Sequence, residues 1–100
     1  MKSHVSNHES LIHALERKGW NFEDERLYTP KRTFWIEGRK NHSTPLGMLL
    51  NMSESMKVVL GSLRANKPAH LNSKQHQAWV SDMESLVNTI EELLENQIVE

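Results

Sequence analysis

A chain of 100 residues with 37% apolar content, 25% charged content and a net charge of −1 has the composition of one globular domain (1–100), able to bury roughly two thirds of its unfolded surface. The low net charge and the periodic placement of apolar residues disfavour a disordered chain, and the absence of cysteine excludes disulfide staples and thiolate chemistry. No stretch approaches the ~18 apolar residues of a membrane span, and Met1–Glu9 lacks the apolar run of a signal peptide, so the expectation is a soluble cytoplasmic protein.

Ser6-Asn7-His8-Glu9 fits a capping box, a hydroxyl at the N-cap and a carboxylate three residues on. The helix it opens should run to Arg17 or Lys18, with Leu11, Ile12 and Leu15 on its apolar face and Gly19 in the left-handed position that follows a helix end. From Trp20 to Glu37 the pattern changes to short runs of strand-preferring residues, and five of the six aromatic residues fall there: Trp20, Phe22, Tyr28, Phe34 and Trp35. Glu23-Asp24-Glu25 reads as a polar break. Thr29-Pro30-Lys31-Arg32 reads as a turn with proline at its second position, which favours type I.

That turn predicts a register with Tyr28 facing Thr33, Leu27 facing Phe34 and Arg26 facing Trp35. Alternation then gives one face to Leu27, Phe34 and Ile36. The other receives Arg26, Tyr28, Thr33, Trp35 and Glu37. A connector of Gly38 to Ser43 leads to Thr44-Pro45, a good helix start. The next helix carries Leu46, Leu49, Leu50, Met56, Leu60 and Leu63 as its apolar positions, with weak points at Gly47 and Gly61 that leave open whether 45–65 is one helix or two broken near Asn51-Met52-Ser53. Asn66-Lys67-Pro68 ends it, and Asn72-Ser73-Lys74-Gln75 resembles a second capping box.

The last helix shows the strongest periodicity. Trp79, Met83, Leu86, Ile90 and Leu93 recur at alternating spacings of four and three, widened by Val80, Val87 and Leu94. Asp82, Glu84, Asn88, Glu91, Glu92 and Glu95 are assigned to the opposite, solvated face. The fold class implied is α+β: a short N-terminal helix, a small antiparallel meander over about 20–37, then two helices forming an antiparallel hairpin packed on the sheet. The wide apolar stripe also suggests a homodimer through the 73–97 helix.

Charge is unevenly spread. Residues 1–42 hold eight Lys/Arg against six Asp/Glu, residues 43–72 three against one, and residues 73–100 one against six, so the acidic last helix should attract the rest of the chain. Catalytic signals are weak. The four glycines stand apart, no nucleophile motif is present, and a turn explains Glu23-Asp24-Glu25, so neither enzyme activity nor a cofactor is expected. His4, His8 and His13 lack the carboxylate or cysteine partners of a metal site. The remaining feature is an aromatic and basic hairpin surface of Arg26, Tyr28, Lys31, Arg32 and Trp35, with Arg26 close enough to Trp35 for a cation–π contact.

Two readings of this second face stay open: helices or a second copy cover it and Trp35 is ordinary core, or Trp35 is exposed beside arginine, the composition of binding hot spots. The expected function is therefore non-enzymatic binding of a larger protein, in the style of small bacterial or phage inhibitors, immunity proteins and regulatory accessory proteins. The alternative is a nucleic-acid-binding regulator using hairpin 26–40 with Arg39 and Lys40. The acidic neighbours Glu23, Asp24, Glu25 and Glu37 and an isoelectric point near 6.6 weigh against it.

Overall fold

A computed structural model describes residues 11–37 and 46–98, with side chains assigned within those spans for residues 11–37 and 47–95. The order of elements is α1 (Leu11–Glu16), β1 (Asn21–Glu23), β2 (Arg26–Tyr28), β3 (Trp35–Glu37), α2 (Leu46–Ala65) and α3 (Ser73–Ile98). The architecture is α+β, a three-stranded antiparallel sheet in the order β1-β2-β3 with the two long helices packed against it. The first capping box and the 38–45 connector, including Arg39 and Lys40, lie outside the described residues.

α1 ends as its sequence suggests. Gly19 takes φ +100°, the Trp20 amide donates to Leu15 O at 3.2 Å and the Gly19 amide to Glu16 O at 3.1 Å. This paired closure satisfies carbonyls that the helix end would otherwise leave open. It also turns the chain so that Trp20 enters the core, 3% exposed. The start of α3 is fixed as firmly. Asn72 Oδ1 accepts from the Gln75 amide at 2.8 Å while the Asn72 amide donates to Gln75 Oε1 at 2.9 Å, a reciprocal capping box.

Of the two alternatives, α2 is one continuous helix with no break near Asn51-Met52-Ser53. Its inward face is Leu49, Ser53 and Leu60, with Met52, Met56 and Leu63 half-buried, a spacing of three and four that holds the helix to α3. Leu50, expected on that face, is instead exposed. It sits one residue past Leu49, about 100° around the helix from it. Lys57–Glu91 and Arg64–Glu84 ion pairs, with His76 Nε2 at 2.6 Å from Leu63 O, run the two helices antiparallel. Lys18 at the end of α1 pairs with Glu92 at 2.8 Å. The acidic face of α3 thus meets basic residues from both α1 and α2.

The apolar stripe of α3 is consumed within one chain: Met83, Leu86, Val87, Ile90, Leu93 and Leu94 are buried among Leu11, Leu15, Leu27, Leu49 and Leu60. An aromatic row crosses from the sheet to this helix. Trp20 meets Phe34 edge-on at 5.9 Å, and Phe34 stacks on Trp79 at 5.2 Å. The Trp20 indole N–H donates to Ser85 Oγ at 3.0 Å, so the buried ring keeps its one donor satisfied.

Asp82 departs from expectation. Assigned to the solvated face, it is 1% exposed. Trp79, Asp82, Leu86, Thr89 and Leu93 are spaced three, four, three and four, so Asp82 and the buried Thr89 belong to the inward stripe. A charged residue at an inward position signals a buried acceptor with donors waiting for it. Those donors come from the hairpin loop.

Candidate functional site

β1 and β2 are joined by Asp24 and Glu25 alone, both left-handed at φ 49° and 65°. Two consecutive left-handed residues make a type I′ turn, whose twist matches the paired strands. The carboxylates of Glu23-Asp24-Glu25 therefore belong to an exposed turn. Asn21 pairs with Tyr28, Phe22 with Leu27 and Glu23 with Arg26.

β2 and β3 pair Tyr28 with Trp35, Leu27 with Ile36 and Arg26 with Glu37. This register differs by two residues from the expected one, because Thr29 still belongs to the ladder. Its amide donates to Phe34 O at 3.2 Å, leaving Pro30, Lys31, Arg32 and Thr33 as the loop. The type I turn is where proline placed it, with the Arg32 amide donating to Thr29 O at 2.9 Å. A slip of one residue would have exchanged the faces. A slip of two preserves them.

The inner face is Phe22, Leu27 and Ile36, continued by Trp20, Thr29 and Phe34. Thr33, expected on the outer face, instead turns toward α3. Its hydroxyl donates to Asp82 Oδ2 at 2.8 Å and its amide to Thr29 Oγ1 at 2.9 Å, while the Lys31 amide donates to Asp82 Oδ1 at 3.3 Å. Asp82 thereby fixes the loop that carries Lys31 and Arg32.

The outer face brings together four of the five expected residues. Trp35 remains 42% exposed, and the Arg26 guanidinium lies over its ring at 4.4 Å. The contact expected from direct opposition is made on the diagonal, since Arg26 stands opposite Glu37. Arg32, left-handed at φ 57°, lies over the Tyr28 ring at 4.3 Å. Each arginine also faces a carboxylate: Arg26 Nε is 3.8 Å from Glu37 Oε2 and Arg32 Nη1 is 3.7 Å from Glu23 Oε2. Asn21 donates to the same Glu23 oxygen. The fifth residue, Lys31, is exposed at the loop tip.

No family model, curated protein or solved structure matches this chain. Its chemistry is therefore read from its own residues. Each arginine lies between an aromatic face and a carboxylate. The planar fork of arginine suits this double contact in a way that lysine does not. Glu23 and Glu37 were not singled out as site residues. For Glu37 the signal is its strand parity with Arg26, since opposite charges across a sheet stabilise each other; Glu23 stands opposite Arg26 too but meets Arg32 of the loop, a contact parity does not give.

Among the described residues no group of three or more His, Asp or Glu is placed to hold a metal ion. His4 and His8 lie outside the described residues. No described helix is long and apolar enough to cross a membrane.

Proposed function

We propose that this chain is a small non-enzymatic protein-binding module, an inhibitor, immunity or regulatory accessory protein of bacterial or phage type acting in the cytoplasm. Its contact surface is centred on Arg26, Tyr28, Lys31, Arg32 and Trp35. The observation that carries the reading is the Arg26 guanidinium stacked at 4.4 Å on a tryptophan that is 42% exposed. A large exposed aromatic with an arginine over its face is the kind of anchor that dominates protein interfaces.

The alternative, a nucleic-acid-binding regulator, draws on the same stacking surface and on Arg39 and Lys40. It is opposed by Glu23 and Glu37, each of which sits beside one arginine and offsets its field.

The test is a photo-cross-linking side chain at Lys31, with a second placement at Glu54 on α2 as control, in cells of the source organism. A stoichiometric protein adduct is expected from position 31 alone, resistant to nuclease and lost in the Trp35→Ala variant. An adduct that Trp35→Ala leaves untouched would remove this surface from the reading. Capture that vanishes with nuclease and falls steeply with added salt would replace a protein partner with nucleic acid.

A further inference from the structure

An acidic hollow of about 320 Å³ opens between Ser53, Glu54 and Lys57 of α2 and Glu91 and Glu95 of α3. Lys57 is engaged with Glu91, and neither Glu54 nor Glu95 has a cation beside it among the described residues. Three carboxylates against one ammonium give this lining a charge of −2. Glu91 and Glu95 are four apart on one helix, where like charges repel. Glu95 also stands in the last turn of α3, which holds no basic residue. The helix dipole disfavours negative charge there. The fold therefore gathers carboxylates where its own architecture opposes them.

Ser53 lines the same hollow and is 4% exposed. Its hydroxyl has no hydrogen-bond partner among the described residues. The equally buried Thr89 shows the usual solution inside a helix, its hydroxyl donating to Ser85 O at 2.7 Å. Buried polar groups are as a rule hydrogen-bonded, so an unmade bond beside unpaired carboxylates points to a ligand that supplies it.

That ligand is a cation carrying N–H donors. A metal ion fits poorly, because among the described residues no group of three or more His, Asp or Glu is placed to hold one. An alkylammonium group has three donors, which carboxylates and a hydroxyl can share. Leu50, 47% exposed, and the buried Leu94 complete the lining and offer apolar contact to a carbon chain. A lining charge of −2 is balanced by a dication, and the hollow is at the small end of ligand sites.

We propose that the α2–α3 hollow binds a short aliphatic diamine as its diammonium ion, held by Glu54, Glu95 and Ser53 against Leu50 and Leu94. The site is independent of the sheet surface assigned above to a protein partner.

Titration calorimetry and amide NMR on the full chain, with putrescine as the probe, test this. Saturable one-to-one binding is expected, with shifts centred on residues 50–57 and 91–95 and affinity falling as sodium chloride is added. Glu54→Gln and Glu95→Gln should each weaken binding about two- to fivefold. Ser53→Ala should weaken it about tenfold and leave the melting temperature of the free chain unchanged or higher, because no internal hydrogen bond is lost. Butylamine, with one ammonium, should bind less tightly than putrescine. Glu25→Gln, in the exposed β1–β2 turn, should change nothing. Shifts that never saturate, or that sodium chloride reproduces at matched ionic strength, overturn the proposal. So does an affinity that Ser53→Ala or the two glutamine variants leave untouched, or a lower melting temperature for Ser53→Ala, which would make the hydroxyl structural. Magnesium chloride binding the same residues more tightly than putrescine would give the site to a metal ion and overturn it as well.

Discussion

The 2.8 Å hydrogen bond from Thr33 Oγ1 to Asp82 Oδ2 joins the tip of the β2–β3 hairpin to a helix 49 positions later in the sequence. Asp82 also accepts the Lys31 amide, and Asp82 is 1% exposed while Thr33 is half-buried. Removing a buried acceptor leaves its donors unsatisfied at about 1–3 kcal/mol each. Asp82→Ala is therefore expected to lower unfolding free energy by about 2–3 kcal/mol and Thr33→Val by about 1 kcal/mol, measured by urea denaturation. The double variant should cost little more than Asp82→Ala alone. Strict additivity, within about 0.5 kcal/mol, would show that the two side chains do not act on each other.

The β1–β2 turn is tight but built from unfavourable residues. Asp24 and Glu25 are both left-handed, a conformation that costs a residue with a Cβ roughly 1–2 kcal/mol. Type I′ turns favour glycine at the second position. Glu25→Gly should stabilise the protein by about 0.5–1 kcal/mol despite the greater flexibility of the unfolded chain, and Glu25→Val should destabilise it. Chemical denaturation of the pair checks this. Destabilisation by glycine would mean that the turn is not the one described.

Two glycines should respond in opposite ways to alanine. Gly61 lies mid-helix with nothing within 4 Å of where a Cβ would stand, so Gly61→Ala should add about 0.5–1 kcal/mol through helix propensity. Gly19 has φ +100° at the end of α1, and Gly19→Ala should cost more than that gain. Thermal melts of both variants, monitored by circular dichroism, would show midpoints moving apart. A matched shift in the same direction would count against the helix-end geometry.

Trp20 and Trp35 are the same residue type on opposite faces of one sheet. Trp20 is 3% exposed, packs on Phe34 and donates to Ser85, so Trp20→Ala should cost about 3–5 kcal/mol. Trp35 lies outside the core, and Trp35→Ala should cost less than about 1 kcal/mol, a half-exposed ring with one cation–π contact. Equilibrium unfolding of the two variants makes the comparison. A large loss for Trp35→Ala would reassign that residue from binding to folding.

The features legible in the sequence were those set by local periodicity and short-range hydrogen bonding. The Asn72/Gln75 box, the left-handed Gly19 and the buried stripe of α3 each depend on residues within a few positions of one another. The two sheet faces survived an error in register because side chains alternate with period two and the error was two residues. The grouping of Arg26, Tyr28 and Trp35 survived for the same reason, whereas Arg32 reaches Tyr28 from the loop.

Only the tertiary structure decided the rest. Thr29 extends the ladder and Thr33 turns inward because a carboxylate 49 positions from Thr33 needs donors, a demand invisible from the loop. Asp82 is buried because the hairpin tip covers it, whereas an isolated α3 would solvate it with its other acids. α2 runs unbroken because packing on α3 outweighs the weak propensity of Gly47 and Gly61. Exposure follows the same rule. Period fixes which residues share a face, but only the other elements decide which face they cover, and here they cover the inner side of the sheet and leave Trp35, Met48, Val58 and Val59 at the surface.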